Sequence, residues 1–161
     1  MRSWMKLIVV ALVILGGPFA NAEGPGHDYP PFVAVEGFQR TTFTEHRFDK
    51  AAFLSDDKGT QTTIAGHYFY IGYRLNDPTA GSDPYLLSSF QEQLESFKRK
   101  IQKVEVLNKT DRCYGTVDFA SYNAVLTVRF QKGNTPVWVA VSCNSGIGYG
   151  VTVVEEQAFH H

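Results

Sequence analysis

The sequence has only one long apolar run and no surplus of positive charge. Lysine and arginine number 15 against 16 aspartate and glutamate residues, which gives a formal net charge of −1. Charges dispersed in this balance leave no electrostatic footprint for nucleic acid, so we predict no nucleic-acid partner. The apolar run lies at residues 7–15, and no later stretch is long enough to span a bilayer. We therefore predict no transmembrane segment once this run is removed.

The motifs of several enzyme and metal-site classes are also missing. The five histidines show neither H-x-x-x-H nor H-E-x-x-H spacing, and they form no zinc quartet with the cysteines. No G-x-S-x-G occurs, and the glycines at 146–150 precede a predicted strand without the lysine of a phosphate-binding loop. The acid pairs at 56–57 and 155–156 have the ordinary role of solvated charge. We predict no catalytic residue, no metal and no cofactor.

The first 22 residues contain the three parts of a signal peptide. Arg2 and Lys6 give a positively charged start, the apolar run follows, and Ala20 and Ala22 form an A-x-A cleavage pattern. We predict cleavage after Ala22 and export to the periplasm of a Gram-negative bacterium, with secretion out of the cell as the alternative. No cysteine lies at the cleavage point, so no lipid anchor is indicated.

Cysteine is scarce, and both cysteines lie in the part predicted to be exported. In an oxidising compartment such a pair forms a disulfide, and a bond between Cys113 and Cys143 would close a loop of about 30 residues. We predict this bond. The alternative makes Cys143 the nucleophile of a small secreted hydrolase or thiol enzyme, with His67 or His46 as its base.

The rest of the chain is predicted to form one α+β domain. Residues 23–31 are rich in glycine and proline and predict an extended leader. The domain is expected at 32–157, followed by a frayed tail at 158–161. Strict alternation in "GHYFYIGYRL" at 66–75 predicts a strand, and apolar residues every three or four positions predict an amphipathic helix over about 84–103.

Strands are also expected on both sides of the helix. The segments predicted after it are 104–107, 123–131, 137–143 and 149–155, and the last three alternate clearly. Before it, residues 32–53 give a mixed pattern, with hints of strands and a helical turn in "FDKAAFL". The combination predicts a mostly antiparallel sheet of about five to six strands, with one long helix packed on one face.

Alternation places several aromatic and arginine side chains on the sheet face opposite the helix. The candidate binding residues on this face are Tyr68, Tyr70, Arg74, Arg129 and Trp138. Flat rings and guanidinium groups suit stacking on sugars or gripping a peptide. Two alternatives remain open: the segment 32–53 covers this face, or the rings form ordinary cross-strand pairs.

The order of these elements resembles a known arrangement. The aromatic strand, the helix, the cysteine-bearing loop, the hairpin ending in "VWVAVS" and the final "YGVTVVEEQAF" resemble the periplasmic N-terminal domain that precedes an OmpA-like peptidoglycan-binding domain in some Gram-negative proteins. No OmpA-like domain follows in this sequence. The resemblance implies a periplasmic α+β fold, and it favours an interdomain joint, not a metal site, for "EEQAFHH".

The function expected from these patterns is that of a non-enzymatic module of the cell envelope. Its partner would be an envelope protein or a glycan, such as peptidoglycan or an outer-membrane component, bound through the aromatic face or an edge strand. The thiol enzyme described above is the alternative from a different class. A secreted effector or inhibitor is a third hypothesis, supported only by size and export.

Overall fold

The structure, a computed structural model, describes residues 24–114, 119–144 and 146–158. The predicted signal peptide and the last three residues of the predicted tail lie outside these ranges. The strands are β1 Phe38–Leu54, β2 Gln61–Leu75, β3 Glu105–Lys109, β4 Leu126–Lys132, β5 Thr135–Asn144 and β6 Gly148–Glu156, and the α-helix α1 is Asp83–Lys100. In this part of the chain, no helix has the length and apolar character needed to cross a membrane.

All six strands belong to one antiparallel sheet in the order β1-β2-β6-β5-β4-β3. The last strand, β6, therefore lies in the middle of the sheet between β2 and β5. A mostly antiparallel sheet of about five to six strands with one helix was predicted, and the described residues confirm an antiparallel sheet of six strands and an α-helix. The helix has 18 residues.

The edge strand β1 is the element that the sequence pattern missed. It runs for 17 residues, through the segment "FDKAAFL" where a helical turn was expected, and that expectation is wrong. Its register against β2 shifts between Arg40 and Thr42 and again between His46 and Asp49. Each shift moves side chains to the other face, so no single period-two pattern survives in the sequence.

Helix α1 begins and ends where its capping residues allow. The Ser82 side chain caps the N-terminus by accepting a hydrogen bond from the backbone N–H of Tyr85. Three cations, Lys98, Arg99 and Lys100, occupy the last turn, where they complement the helix dipole.

The buried side of α1 contacts the sheet through aromatic rings. Its fully buried residues are Leu86, Phe90 and Leu94. The ring of Phe90 lies 5.1 Å from that of Tyr149 on β6, and Phe97 lies 4.8 Å from Phe130 on β4. Helix and sheet therefore share one hydrophobic cluster, which we call the first cluster.

A second, smaller cluster contains side chains that lie outside the first cluster, several of them at intervening positions of the same strands. Its buried members are Phe53, Leu54, Ile64, Ala124, Trp138, Ala140 and Val154. On β5, for example, Val137 and Val139 belong to the first cluster, whereas Trp138 belongs to the second. Alternation along the strand sends neighbouring side chains to opposite sides, so the sheet has apolar packing on both.

The predicted leader contains core residues and is held by a buried ion pair. The carboxylate of Asp28 accepts hydrogen bonds from Arg40 at 2.6 Å and from the hydroxyl of Tyr73 at 2.5 Å. Arg40 is only 6% exposed. Tyr29 and Phe32, which flank two prolines, are buried in the first cluster. These contacts tie the N-terminal segment to β1 and β2.

The predicted disulfide is confirmed. Cys113 and Cys143 are bonded, with their Cα atoms 5.1 Å apart and 30 residues of separation along the chain. Cys143 is 2% exposed. The bond links the segment after β3 to the end of β5, and it engages the sulfur that the thiol-enzyme alternative requires as a free nucleophile.

The carboxylate of Glu155 on β6 is only 14% exposed and has three partners. It accepts a hydrogen bond from the Tyr29 hydroxyl at 2.5 Å and from the Lys132 ammonium at 2.9 Å, and His67 Nδ1 lies 3.4 Å away. Burial raises the pKa of Glu155, but the hydrogen bonds from Tyr29 and Lys132, with the nearby positive charge, together hold the pKa below its ordinary value of 4.5. The ionised form is thus favoured in the folded protein.

Removal of the disulfide should destabilise the protein strongly. The double variant Cys113→Ala/Cys143→Ala is expected to lose about 3–4 kcal/mol of unfolding free energy, because a closed loop of this length restricts the unfolded chain. Urea denaturation measures the loss, and reduced wild-type protein is the matched control. A loss below about 1 kcal/mol would contradict a stabilising role for the bond.

Acid should weaken the fold partly through Glu155. Because its pKa is lowered on folding, its contribution is present above pH 4.5 and is lost as the pH falls through the folded-state value. Glu155→Gln should therefore flatten the decline of unfolding free energy between about pH 5 and about pH 3. Urea denaturation at each pH tests this, with the exposed helix variant Glu92→Gln as control. An unchanged slope in Glu155→Gln would refute the linkage.

Candidate binding site

The strand register fixes where the five candidate binding residues lie. Tyr68 pairs with Val154, Val154 with Trp138, and Trp138 with Arg129, so one row crosses four strands. Tyr70 lies one row away on the same face. The structure thus places four of the five residues close to one row, as the predicted alternation requires.

Arg74 lies apart from the others. It is exposed near the end of β2, paired with Gln39 on β1 and Gly148 on β6. Four residues of extended chain separate it from Tyr70, a distance of about 13 Å. Its side chain is therefore not part of the same local surface as the tyrosines.

Trp138 is a packed side chain. It is 5% exposed, its ring centroid lies 5.7 Å from that of Phe53, and its Nε1 donates to Glu156 at 3.3 Å. The guanidinium of Arg129 lies 5.3 Å from the indole centroid and bonds both carboxylate oxygens of Glu105 at 2.9 and 2.7 Å. The end of β1 covers this part of the row, and a binding role for Trp138 and Arg129 stays a prediction.

Tyr68 and Tyr70 instead line an open pocket, which we call the tyrosine pocket. Its volume is about 520 Å³. Thr152 on β6 lies beside Tyr70 in the register and contributes to the same lining. One wall comes from residues 49–52 of β1 and the other from residues 119–122, which include a short 3₁₀ turn. The first wall belongs to the segment 32–53, which one of the two alternatives placed across this face, whereas the second wall was not expected from the sequence.

A glycine lets two parts of the pocket lining pack closely against β6. A Cβ atom at Gly150 would lie 2.7 Å from Cβ of Phe119 and 2.8 Å from the Tyr70 hydroxyl. Both distances are too short for real side chains, so only glycine lets the Tyr70 ring and the 119–122 segment lie this close to β6. The sequence signal for it was present in "GIGYG", which we interpreted only as a tight turn.

Two hydroxyl groups fasten the second wall to the sheet. Ser142 on β5 donates to the backbone carbonyl of Phe119 at 2.8 Å, and Ser121 donates to the carbonyl of Ala52 on β1 at 2.6 Å. Ser121 and Ser142 are both buried. Hydrogen bonds on both sides hold the wall, so the pocket is formed before any ligand arrives.

Charged side chains lie at the rim of the tyrosine pocket, and the phenol of Tyr68 beside them is neutral. His46 stacks on Tyr68 with ring centroids 5.5 Å apart, and its Nδ1 lies 2.8 Å from an Asp49 oxygen. The hydrogen bond with His46, followed by that with the Lys50 backbone, lowers the pKa of Asp49. Burial, then the charge of Asp49, raises the pKa of Tyr68. At neutral pH the site presents an anion, a neutral phenol and the exposed ammonium of Lys50.

The arrangement offers groups that suit the binding of a polar ligand. Among the described residues, no three histidine, cysteine, aspartate or glutamate side chains are grouped so that they could hold a metal ion. The pocket contains aromatic rings, hydroxyls and one pair of opposite charges. Such groups orient a polar ligand with flat faces.

Comparison with protein-family models, with curated proteins and with solved structures finds no match. The resemblance to the periplasmic N-terminal domain of OmpA-like proteins accordingly stays a prediction. The case for a function depends on the geometry of the tyrosine pocket.

Truncation of Trp138 should affect stability. Trp138→Ala is expected to cost about 3–5 kcal/mol of unfolding free energy, because the indole fills the second cluster against Phe53. Thermal and urea denaturation measure the cost. Tyr114→Ala, which removes an exposed ring, is the control and should cost far less. A Trp138→Ala protein as stable as wild type would show that the indole is dispensable for packing.

Proposed function

We propose that this protein is a non-enzymatic binding module of the cell envelope that holds a glycan segment in the tyrosine pocket. The observation that carries the proposal is the placement of Tyr68 and Tyr70 in one preformed pocket of about 520 Å³. That volume lies within the range of small-molecule sites, about 300–1,000 Å³. One or a few sugar rings are ligands of this size.

The chemistry of the lining favours a sugar. Phenol rings present flat faces for stacking, and the hydroxyls of Tyr68 and Thr152 belong to residues that line the same space. Asp49 and Lys50 add an acceptor and a donor at the rim. A sugar ring, which has apolar faces and a periphery of hydroxyls, matches both parts of this lining.

A protein partner paired with the edge of β1 is the weaker candidate. Among the described strands, β1 is an edge strand whose one neighbour is β2, so its other edge is a candidate for strand addition. However, two register shifts interrupt it, and charged residues such as Glu45, Arg47 and Lys50 lie along it. Bulges and charges are the features that protect an edge strand from pairing.

An exported location agrees with this role. The disulfide between Cys113 and Cys143 suits an oxidising compartment, and the predicted signal peptide would deliver the chain to the periplasm. We also infer that α1 occupies one sheet face through Phe90 and Phe97, which leaves the opposite face for the tyrosine pocket.

Binding to peptidoglycan tests the proposal directly. The exported protein should pellet with purified sacculi in a saturable manner, and Tyr68→Ala should weaken this binding about tenfold, since a central aromatic contact contributes more than 1 kcal/mol. Tyr114→Ala, which removes an exposed ring outside the pocket, should bind as wild type does. Circular dichroism verifies that both variants fold.

The same assay with outer-membrane vesicles separates the outcomes. Saturable binding to sacculi that only Tyr68→Ala loses would support a glycan in the pocket. Equal binding by both variants would place the contact elsewhere on the surface. Wild-type protein that stays in the supernatant with both sacculi and vesicles would refute direct envelope binding and would favour a soluble protein partner.

A further inference from the structure

A second pocket lies on the helix side of the molecule, where the leader, the end of α1 and the end of β4 meet. Its volume is about 350 Å³. The residues that define it are Tyr29, Pro30, Phe97, Ile101 and Phe130, with Lys132 at the rim. We call it the apolar pocket. It involves no residue of the tyrosine pocket, so it requires an explanation of its own.

The walls of this pocket are largely apolar, and the polar side chains in its lining are His27, Asp28, Gln131 and Lys132. Phe97 and Phe130 meet edge to face with centroids 4.8 Å apart, and the Tyr29 ring contacts Phe69 at 5.3 Å. Phe97 and Ile101 remain half-buried, so part of their apolar surface meets water when the pocket is empty. Covering that surface with an alkyl chain is favourable.

The ammonium group of Lys132 lies at the mouth of the apolar pocket. The ammonium of Lys132 lies 5.6 Å from the Tyr29 ring centroid, and its side chain is 64% exposed. It bonds Glu155, but Glu155 also accepts from Tyr29 at 2.5 Å and lies 3.4 Å from His67 Nδ1. Lys132 can therefore turn toward an anionic group while Glu155 keeps a hydrogen-bond donor.

The one carboxylate in the lining does not oppose an anion. Asp28 lines the pocket, but its Oδ1 bonds the guanidinium of Arg40 and the hydroxyl of Tyr73. Its charge is compensated inside the fold. Glu155, outside the lining, balances Lys132 in the empty pocket, so an anionic head group binds by replacing Glu155 as the partner of Lys132.

A further pocket and the last turn of α1 adjoin the apolar pocket. A neighbouring pocket, also of about 350 Å³, shares Pro30 and Phe97 with the first and has Lys100 and Glu92 in its lining. Arg99 and Lys100 in the last turn of α1 take part in no ion pair among the described residues, whereas Lys98 lies 3.4 Å from Glu95. The two pockets thus share apolar residues, and Lys100 and Glu92 place one charge of each sign in the lining of the second pocket.

We infer that the apolar pocket binds a single-chain amphiphile with an anionic head, a molecule of the fatty-acid class. The alkyl chain lies against Phe97, Ile101 and Phe130, and the head group meets Lys132. The ligand enters as a monomer, because a concave pocket of this volume admits one chain and does not match the flat surface of a bilayer. This site is independent of the glycan pocket.

Calorimetric titration of the full exported protein with monomeric decanoate tests the inference. Saturable binding to one site is expected, and decyltrimethylammonium, which has the same chain and a positive head, should bind at least about fivefold more weakly. Equal binding of the two amphiphiles would overturn the assigned role of Lys132. Absence of saturable decanoate binding would overturn the proposal as a whole.

Two variant pairs locate the ligand. Lys132→Gln should weaken decanoate binding about fivefold, whereas Lys98→Gln, which removes a cation outside the pocket, should leave it unchanged. Ile101→Asp should reduce binding at least about tenfold by placing a charge against the chain, with Val106→Asp at an exposed strand position as its control. Circular dichroism and thermal denaturation establish that each variant is folded.

The outcomes are decisive even if one variant fails to fold. Loss of binding in Lys132→Gln with retention in Lys98→Gln supports the site, and the reverse pattern overturns it. Binding to anionic phosphatidylglycerol vesicles without binding of monomeric decanoate also overturns it, because a membrane surface would then be the partner. Neither result depends on sacculus binding, so the glycan proposal stands or falls separately.

Discussion

The antiparallel pairing of β2 with β6 is the constraint on which the other features depend. It brings a strand from before the helix against the last strand, and it stacks Tyr73 on Tyr149 with centroids 4.5 Å apart. The Tyr149 hydroxyl then donates to the Val33 carbonyl and accepts from the Val35 N–H, both at 2.9 Å. One interstrand pairing thus orders the sheet and also anchors the segment that precedes β1.

The same pairing helps to form one of the two unlike pockets. It puts Tyr70 close to Gly150, whose missing side chain lets the ring and Phe119 pack against β6 beside the tyrosine pocket. Elsewhere, α1 ends at Lys100, and Phe97, Ile101 and Phe130 line the apolar pocket near that end.

Local patterns predicted the elements whose periodicity is unbroken. The alternation in β2 and the spacing of Leu86, Phe90 and Leu94 each reflect one mainly buried face. Strands β5 and β6 are buried along most of their length, but their valines recur at every second position, so these strands could also be assigned from the residues alone. Strand β1 could not be assigned, because its bulges reverse the buried face twice. The pocket wall at 49–52 belongs to the segment 32–53, for which covering this face was one open alternative. The wall at 119–122 was missed because it meets the tyrosines only through long-range contacts.

The sequence by itself determined the fold class, the disulfide pair Cys113–Cys143 and the common face of Tyr68 and Tyr70. These follow from composition and from side-chain direction along a strand, which are local properties. Only the tertiary structure decided that Trp138 is packed beneath Phe53 while Tyr70 lines an open pocket. Both lie on the same sheet face, and what distinguishes them is which distant segment covers each one, a property that no local pattern encodes.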